Sequence, residues 1–299
     1  MVRKLLSQGP GVPRQEQLPG NLKGARLFRA KLQEATLNQA NLVDAELSGA
    51  DLEGAHLLNV NAERAGFGQA NLEGAHFFEA HLEHATLSLA NLEGADLRHA
   101  VLRNARLREA KLGGADFTGA DLRAAEMSVC YVHGTTFANA DLRNARLRLI
   151  RGYRKAIWIG VDIRNVNFAG AYLLRRFIVD ENYLEEFRRR GKLPAVMYHV
   201  WKLTSDCGRS MGRWCLLIVA QALLFGWLYT LVDINYGPNA TWLSPFYFSV
   251  VTLASLGFGD VVPTSTAGQA LAMCEVVLGY VMLGGLISIF SNRVARRAD

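Results

Sequence analysis

From Leu22 onward a large apolar residue returns at every fifth position: Leu27, Leu32, Leu37, Leu42, Leu47, Leu52 and Leu57. After Ala62 the series resumes at Phe67, Leu72, Phe77 and Leu82 and runs on to Leu147. Two places before each stands a small residue, nearly always Ala, as at Ala25, Ala30, Ala35, Ala40, Ala45 and Ala50. The residue between them is polar, often Asn or Asp. This period fits neither a helix face nor an alternating strand. On an α-helix five residues turn through about 500°, so successive Leu side chains stand about 140° apart and form no stripe.

The pattern, A-(D/N)-L-x-x, resembles the pentapeptide repeat family over roughly Leu22 to Leu173. The resemblance implies a right-handed quadrilateral β-helix with four pentapeptides per coil, the Leu/Phe and Ala positions pointing inward. Coils one inter-strand spacing apart, about 4.8 Å, would make the units up to Leu147 a rod of about 31 Å. Four units per coil stack residues 20 apart, and this puts Asn21, Asn41 and Asn61 in one column. Arg106, Glu126 and Arg146 fall in another with alternating charge, and His56 sits under His76. The histidines read as exposed ladder residues rather than a metal site. The period breaks near Gly152. Ile163, Phe168 and Leu173 resume it shifted by one residue, so 151–160 is expected to form a bulge or loop before a last partial coil.

Charge on the outward positions is mixed: Arg26, Lys31, Glu46, Asp51, Arg106 and Lys111. A nucleic-acid mimic needs a strongly acidic surface, so the rod reads instead as an interaction or assembly domain, with a cytoplasmic protein as its possible partner. The net charge of +6 does not signal nucleic-acid binding, because the basic residues flank the apolar segments. Cys130, Cys207, Cys215 and Cys274 form no C-x-x-C pair and signal neither a disulfide framework nor zinc.

Residues 176–213 change to a helical pattern. Asp180 is a candidate N-cap, with Tyr183, Leu184 and Phe187 on one face. Pro194 is a candidate first residue of a second helix that buries Met197, Val200 and Trp201. Trp201, Lys202 and Trp214 suit a membrane interface, so this segment reads as a helical linker or interfacial helix.

No Lys or Arg occurs from Trp214 to Asn292, and the only carboxylates there are Asp233, Asp260 and Glu275. Two apolar runs, 214–234 and 267–290, are each long enough to span a bilayer. Nine Lys/Arg lie between Arg175 and Arg213, and Arg293, Arg296 and Arg297 follow the second run. The positive-inside rule then places both termini and the rod in the cytoplasm. Between the spans, 244–255 gives about 16 Å of helix, half a bilayer. The backbone after it must be irregular at membrane depth, which is tolerated only where protein surrounds it or where it lines a watery path.

That backbone reads Ser255-Leu-Gly-Phe-Gly-Asp260, preceded by Thr252. The stretch resembles the selectivity filter of the two-transmembrane potassium channel family. The resemblance implies that K⁺ is held by the carbonyls of Ser255, Leu256, Gly257 and Phe258, with the Ser255 hydroxyl completing the innermost site and Gly259 continuing the filter. Thr252, Asp260 and Tyr247 would support it, Tyr247 through a bond to Asp260 or through simple packing. One chain cannot encircle an ion, so a four-fold homotetramer is implied. Ser replaces the family's Thr at 255 and Phe its Tyr at 258. Glu275 is costly within a span unless paired. It is expected to brace the pore helix through Ser249 or Thr252, or to sense pH. Gly279 falls at the family's hinge glycine and is the expected site of gating bends, while Gly284 and Gly285 are expected to serve close helix packing.

The expected fold is multidomain: a right-handed pentapeptide β-helix joined to an all-α membrane pore domain with a re-entrant helix. The expected segments are an N-terminal tail (1–20), the rod (21–175), a linker (176–213), the pore domain (214–292, with its filter at 255–260) and a basic tail (293–299). The expected function is passive, potassium-selective permeation across a cell inner membrane by a multi-pass protein, with no enzymatic activity and no cofactor beyond the permeant ion. A weakly selective cation channel or a membrane-anchored scaffold are the alternatives. No span carries the spaced Arg/Lys of a voltage sensor.

Overall fold

The computed structural model describes residues 20–298, with side chains through Ser291. The tail expected over 1–20 lies outside these residues apart from Gly20, as do the side chains of 293–299. The chain divides into two compact units, the first ending at Glu186 and the second starting at Phe187.

In the first unit, parallel backbone bridges join residues 20 apart, from Asn21–Asn41 through Tyr131–Arg151. Four pentapeptides therefore make one coil. Each coil bonds to the next as a parallel ladder: Leu42 N–H donates to Asn61 O at 2.6 Å, and Asn61 N–H to Ala40 O at 3.0 Å. Each corner closes with a tight turn, as where Ala45 N–H donates to Leu42 O at 2.9 Å. The third residue of the turn has positive φ, as a type II turn requires. Gly and Asn recur in that column for this reason, but Val129 also stands there, at φ 66°.

The inward residues from Leu42 to Leu147 are buried and form one continuous core, while Ala25 and Ala35 in the first coil are only partly covered. Phe117, Phe137 and Trp158 stack through it, with ring centroids 5.3 and 4.5 Å apart. Cys130 and Thr135 replace the usual Ala, and their S–H and O–H donate to Leu107 O and Leu112 O. Burial pushes the Cys130 thiol up to about 12.

Outside, Asn21, Asn41 and Asn61 stack through their backbones as expected. Their side-chain oxygens instead accept from the N–H two residues on. The side-chain amide ladder lies two faces away, on the opposite side of the coil: Asn71 donates to Asp51 at 3.0 Å and Asn91 to Asn71 at 3.3 Å. His56 and His76 stack at 5.0 Å. Arg146 reaches Glu126 at 3.4 Å. A longer ion ladder climbs through Arg103, Asp121, Arg123, Asp141, Arg143, Asp162 and Arg164. Partial burial opposes ionisation of Asp121, but hydrogen bonds from Arg123 and Arg103 outweigh it and hold the carboxyl at about 2.

Beyond Arg151 the register becomes 21, as in Thr136–Ile157. A single helical turn, Tyr153–Lys155, absorbs the extra residue within the interval expected to bulge. The coil ends sooner than the pattern suggested. Leu173 is not a repeat residue but an exposed position in helix α1, Tyr172–Arg189. Asp180 therefore lies inside α1 rather than capping it. The reason is the open end of the coil: Leu174 and Ile178 bury against it. Asn182 also fixes α1 there, accepting from Gly160 N–H at 2.7 Å and donating to Trp158 O at 2.9 Å.

After the end of α1 the second unit continues with α2, Lys192–Ser205, in which Pro194 is the third residue rather than the first. Met197, Val200 and Trp201, expected to be buried, are exposed on α2 together with Leu193 and Val196. Helix α3, Met211–Leu228, is capped by the Ser210 side chain and tightens into a last turn, Tyr229–Leu231. Ile234 is not in the span; it begins β1, Ile234–Asn235, which pairs antiparallel with β2, Val262–Pro263. Helix α4, Ser244–Leu253, packs against both α3 and α5, Thr266–Ala298. Among the described residues two helical segments, Met211–Leu231 and Thr266–Ser291, are long and apolar enough to cross a membrane.

Candidate ion-conduction site

Helix α4 begins with Pro245 in its first turn and buries Phe248, Ser249, Val251, Thr252 and Leu253. Its end sets up the irregular stretch that follows. Ser255 N–H donates to Thr252 O at 3.0 Å and Leu256 N–H to Val251 O at 3.0 Å. This is the Schellman pattern, which requires a left-handed residue at its corner. That residue is Ser255, at φ 54°, where Gly is usual. Gly257 and Gly259 follow at φ 53° and 75°. Alternation of left- and right-handed residues turns successive peptide groups the same way, with N–H groups on one side and carbonyls on the other. Ser255 to Asp260 are all exposed in the single chain, Leu256 at 57% and Phe258 at 64%.

Behind this stretch, Tyr247 O–H donates to the Asp260 carboxylate at 2.9 Å. Glu275 is fully buried where α3, α4 and α5 meet. Tyr229 O–H donates to one of its oxygens at 2.6 Å, and Ser249 Oγ is in hydrogen-bond contact with the other. Ser249, not Thr252, is the partner from α4. Ser249 Oγ also lies 2.9 Å from Ala222 O, to which it donates. A hydroxyl has one hydrogen, so Ser249 cannot donate to both acceptors. One proton on Glu275 satisfies every contact: Tyr229 to Glu275, Glu275 to Ser249, and Ser249 to Ala222.

Gly279 is a close-packing position. A Cβ there would lie 2.5 Å from Leu253 O, the last carbonyl of α4. At Gly284 a Cβ meets nothing within 4 Å, whereas at Gly285 it would collide with the Trp214 indole. Tyr229 was missed in the sequence. Its signal was a phenol near the end of a span, where a buried O–H needs a partner.

Residues 214–296 match the family model described as an ion channel, and residues 21–149 match pentapeptide repeats in overlapping segments. The chain thus joins a region that matches pentapeptide repeats to a region that matches ion channels. Neither matched family is an enzyme family. Over 87 residues the chain is 30% identical to two-pore potassium channel 4 of Arabidopsis thaliana, covering 26% of this chain and 31% of that protein. Over 70 residues it is 31% identical to the calcium-gated potassium channel TvoK of Thermoplasma volcanium, covering 22% of this chain and 20% of that protein. The chain thus spans less than a third of either relative. Among solved structures, QnrB1, a plasmid-mediated fluoroquinolone resistance protein, aligns at 21% identity and a TM-score of 0.31. That alignment covers 54% of this chain and 96% of QnrB1.

Proposed function

We propose that the chain is one subunit of a homotetrameric, potassium-selective channel in a cell inner membrane. The observation that carries this reading is the alternating positive φ at Ser255, Gly257 and Gly259, directly after a ten-residue helix between two long apolar helices. The carbonyls of Ser255, Leu256, Gly257 and Phe258 replace the water of a dehydrated K⁺, and the Ser255 hydroxyl adds the innermost ligand. Gly259 gives the conformation that ends the row, while Thr252 and the Tyr247–Asp260 bond hold it from behind. Four chains close the ring, which also covers Leu256 and Phe258. Helix α4 is then re-entrant, and the protein crosses the lipid bilayer twice with both termini in the cytoplasm. The repeat unit is a right-handed rod that serves assembly or regulation, with a cytoplasmic protein rather than nucleic acid as its partner. No cofactor enters this reading.

The test is K⁺ flux and bi-ionic reversal potential in liposomes carrying the full chain. A reversal near the K⁺ equilibrium potential is expected, and Gly257→Ala should abolish flux while the tetramer persists, because Ala resists the required φ. A reversal near zero with K⁺ against Na⁺ makes the protein a weakly selective cation channel. No flux, with the rod still binding a partner, makes it a scaffold.

A further inference from the structure

The indole of Trp214, in the first turn of α3, donates to the Met282 carbonyl of α5 at 2.8 Å. The same ring lies over Gly285, where any side chain would strike it. Met282 O is a helix carbonyl whose intrahelical partner is the N–H of Leu286. A pair of small residues such as Gly284–Gly285 is a recognised setting for a helix bend, and the Trp214 bond ties down the turn that contains it. Gly284, on the other side of that pair, has open space around its Cβ position. Gly279 lacks that freedom, because α5 there lies against Leu253 O. Trp214 is also tied to the preceding segment. Its neighbour Arg213 donates to Lys202 O of α2 at 3.4 Å, and Gly208 in the intervening turn lies beside Trp201.

We propose that Trp214 is a latch that fixes α5 at Met282–Gly285, and that α5 bends at Gly284–Gly285, not at Gly279, when the latch lets go. Movement of α2 reaches the latch through Arg213, so the segment leading from the repeat unit acts on the lower half of α5 without passing through the filter. This inference rests on the channel reading for its consequence but not for its geometry.

The experiment uses the full chain in nanodiscs and liposomes, as wild type, Trp214→Phe, Gly285→Ala and the double variant. Phenylalanine keeps the ring and removes the N–H; alanine at 285 pushes the ring away. Amide hydrogen exchange over 283–289 should quicken roughly three- to tenfold in each single variant, the range for loss of one hydrogen bond, and stay unchanged over 270–280. Both variants should shift the open-to-closed ratio of K⁺ currents in the same direction. The double variant should add little, since both changes break one contact. Unchanged exchange over 283–289 in Trp214→Phe overturns the latch, whatever the currents do. Additive effects of the two substitutions overturn it also. Absence of current in the wild type with quickened exchange in the variants removes the channel reading and leaves the latch standing.

Discussion

Replacing Glu275 tests the proton count at the junction of α3, α4 and α5. Glutamine has nearly the same shape as a neutral carboxylic acid. Its amide N–H can donate to Ser249 while its oxygen accepts from Tyr229, so Ser249 still donates to Ala222 O. If Glu275 carries the proton, Glu275→Gln should change stability by no more than about 1 kcal/mol per chain. Glu275→Ala leaves the buried Tyr229 O–H without its acceptor and Ser249 without its donor, at about 1–3 kcal/mol each. The emptied volume adds to this, so a loss of roughly 3–6 kcal/mol per chain is expected. The assay is thermal unfolding of the full chain in detergent, followed by near-ultraviolet circular dichroism, with K⁺ flux measured in parallel. Flux should follow stability, because Ser249 sits on the helix that ends at Leu253 and leads into the proposed filter. The reasoning is refuted if Glu275→Gln is as damaging as Glu275→Ala. That outcome would mean a charged carboxylate accepting from both Tyr229 and Ser249, with Ala222 O left to its own helix.

Three further outcomes are expected. Hydrogen bonds from Arg123 and Arg103 overcome the effect of burial on Asp121 and keep its carboxyl at about 2, below the ordinary value of 3.8. Its stabilising effect is therefore complete above about pH 4 and is lost as pH falls toward about 2; Arg103→Ala should move the acid transition of the repeat unit to higher pH by circular dichroism, while costing no more than about 1 kcal/mol at neutral pH. Val129→Gly should stabilise the repeat unit by about 1 kcal/mol in denaturant titration, because a β-branched residue at φ 66° is strained; a loss of stability would mean that the Val129 side chain contributes more than its backbone costs. Gly279→Ala should suppress K⁺ flux by displacing Leu253 O, two residues before the proposed filter, with a change in reversal potential; altered opening at unchanged selectivity would mean that Gly279 is a hinge.

The rod was legible because its signal is a period, and a period survives any uncertainty about single side chains. Which side chains pair on its surface was not. Asn41 and Asn61 share a column and each Oδ1 accepts from the N–H two residues on, whereas Asn71 Oδ1 accepts both that local N–H and the Asn91 amide, a difference the shared pattern does not announce. The Arg–Asp ladder from Arg103 to Arg164 needs an Asp at the bridge position and an Arg two residues later, a spacing that reads as ordinary scattered charge. Helix α1 was placed too late for a similar reason. Leu174 and Ile178 carry no mark that the open coil end needs covering, and only the geometry of that end decides that the helix starts at Tyr172.

In the membrane segment, what could be read depended on whether the physics was local. Bilayer length, absence of basic residues and the glycines at 257 and 259 are all properties of short stretches. The left-handed turn at Ser255 is just as local, closed by two backbone bonds back to Val251 and Thr252, but it falls on a serine where glycine is usual, so the residue type gave no sign of it. Glu275 differs: a carboxyl in a span demands partners, and that demand is visible in the sequence. The partners lie 46 and 26 residues away, on two different helices. Gly279 shows the limit most clearly. Glycine in a helix serves either bending or close approach, and the sequence is identical in both cases. At Gly279 a Cβ would lie 2.5 Å from Leu253 O, so the packing there calls for glycine whether or not the helix also bends.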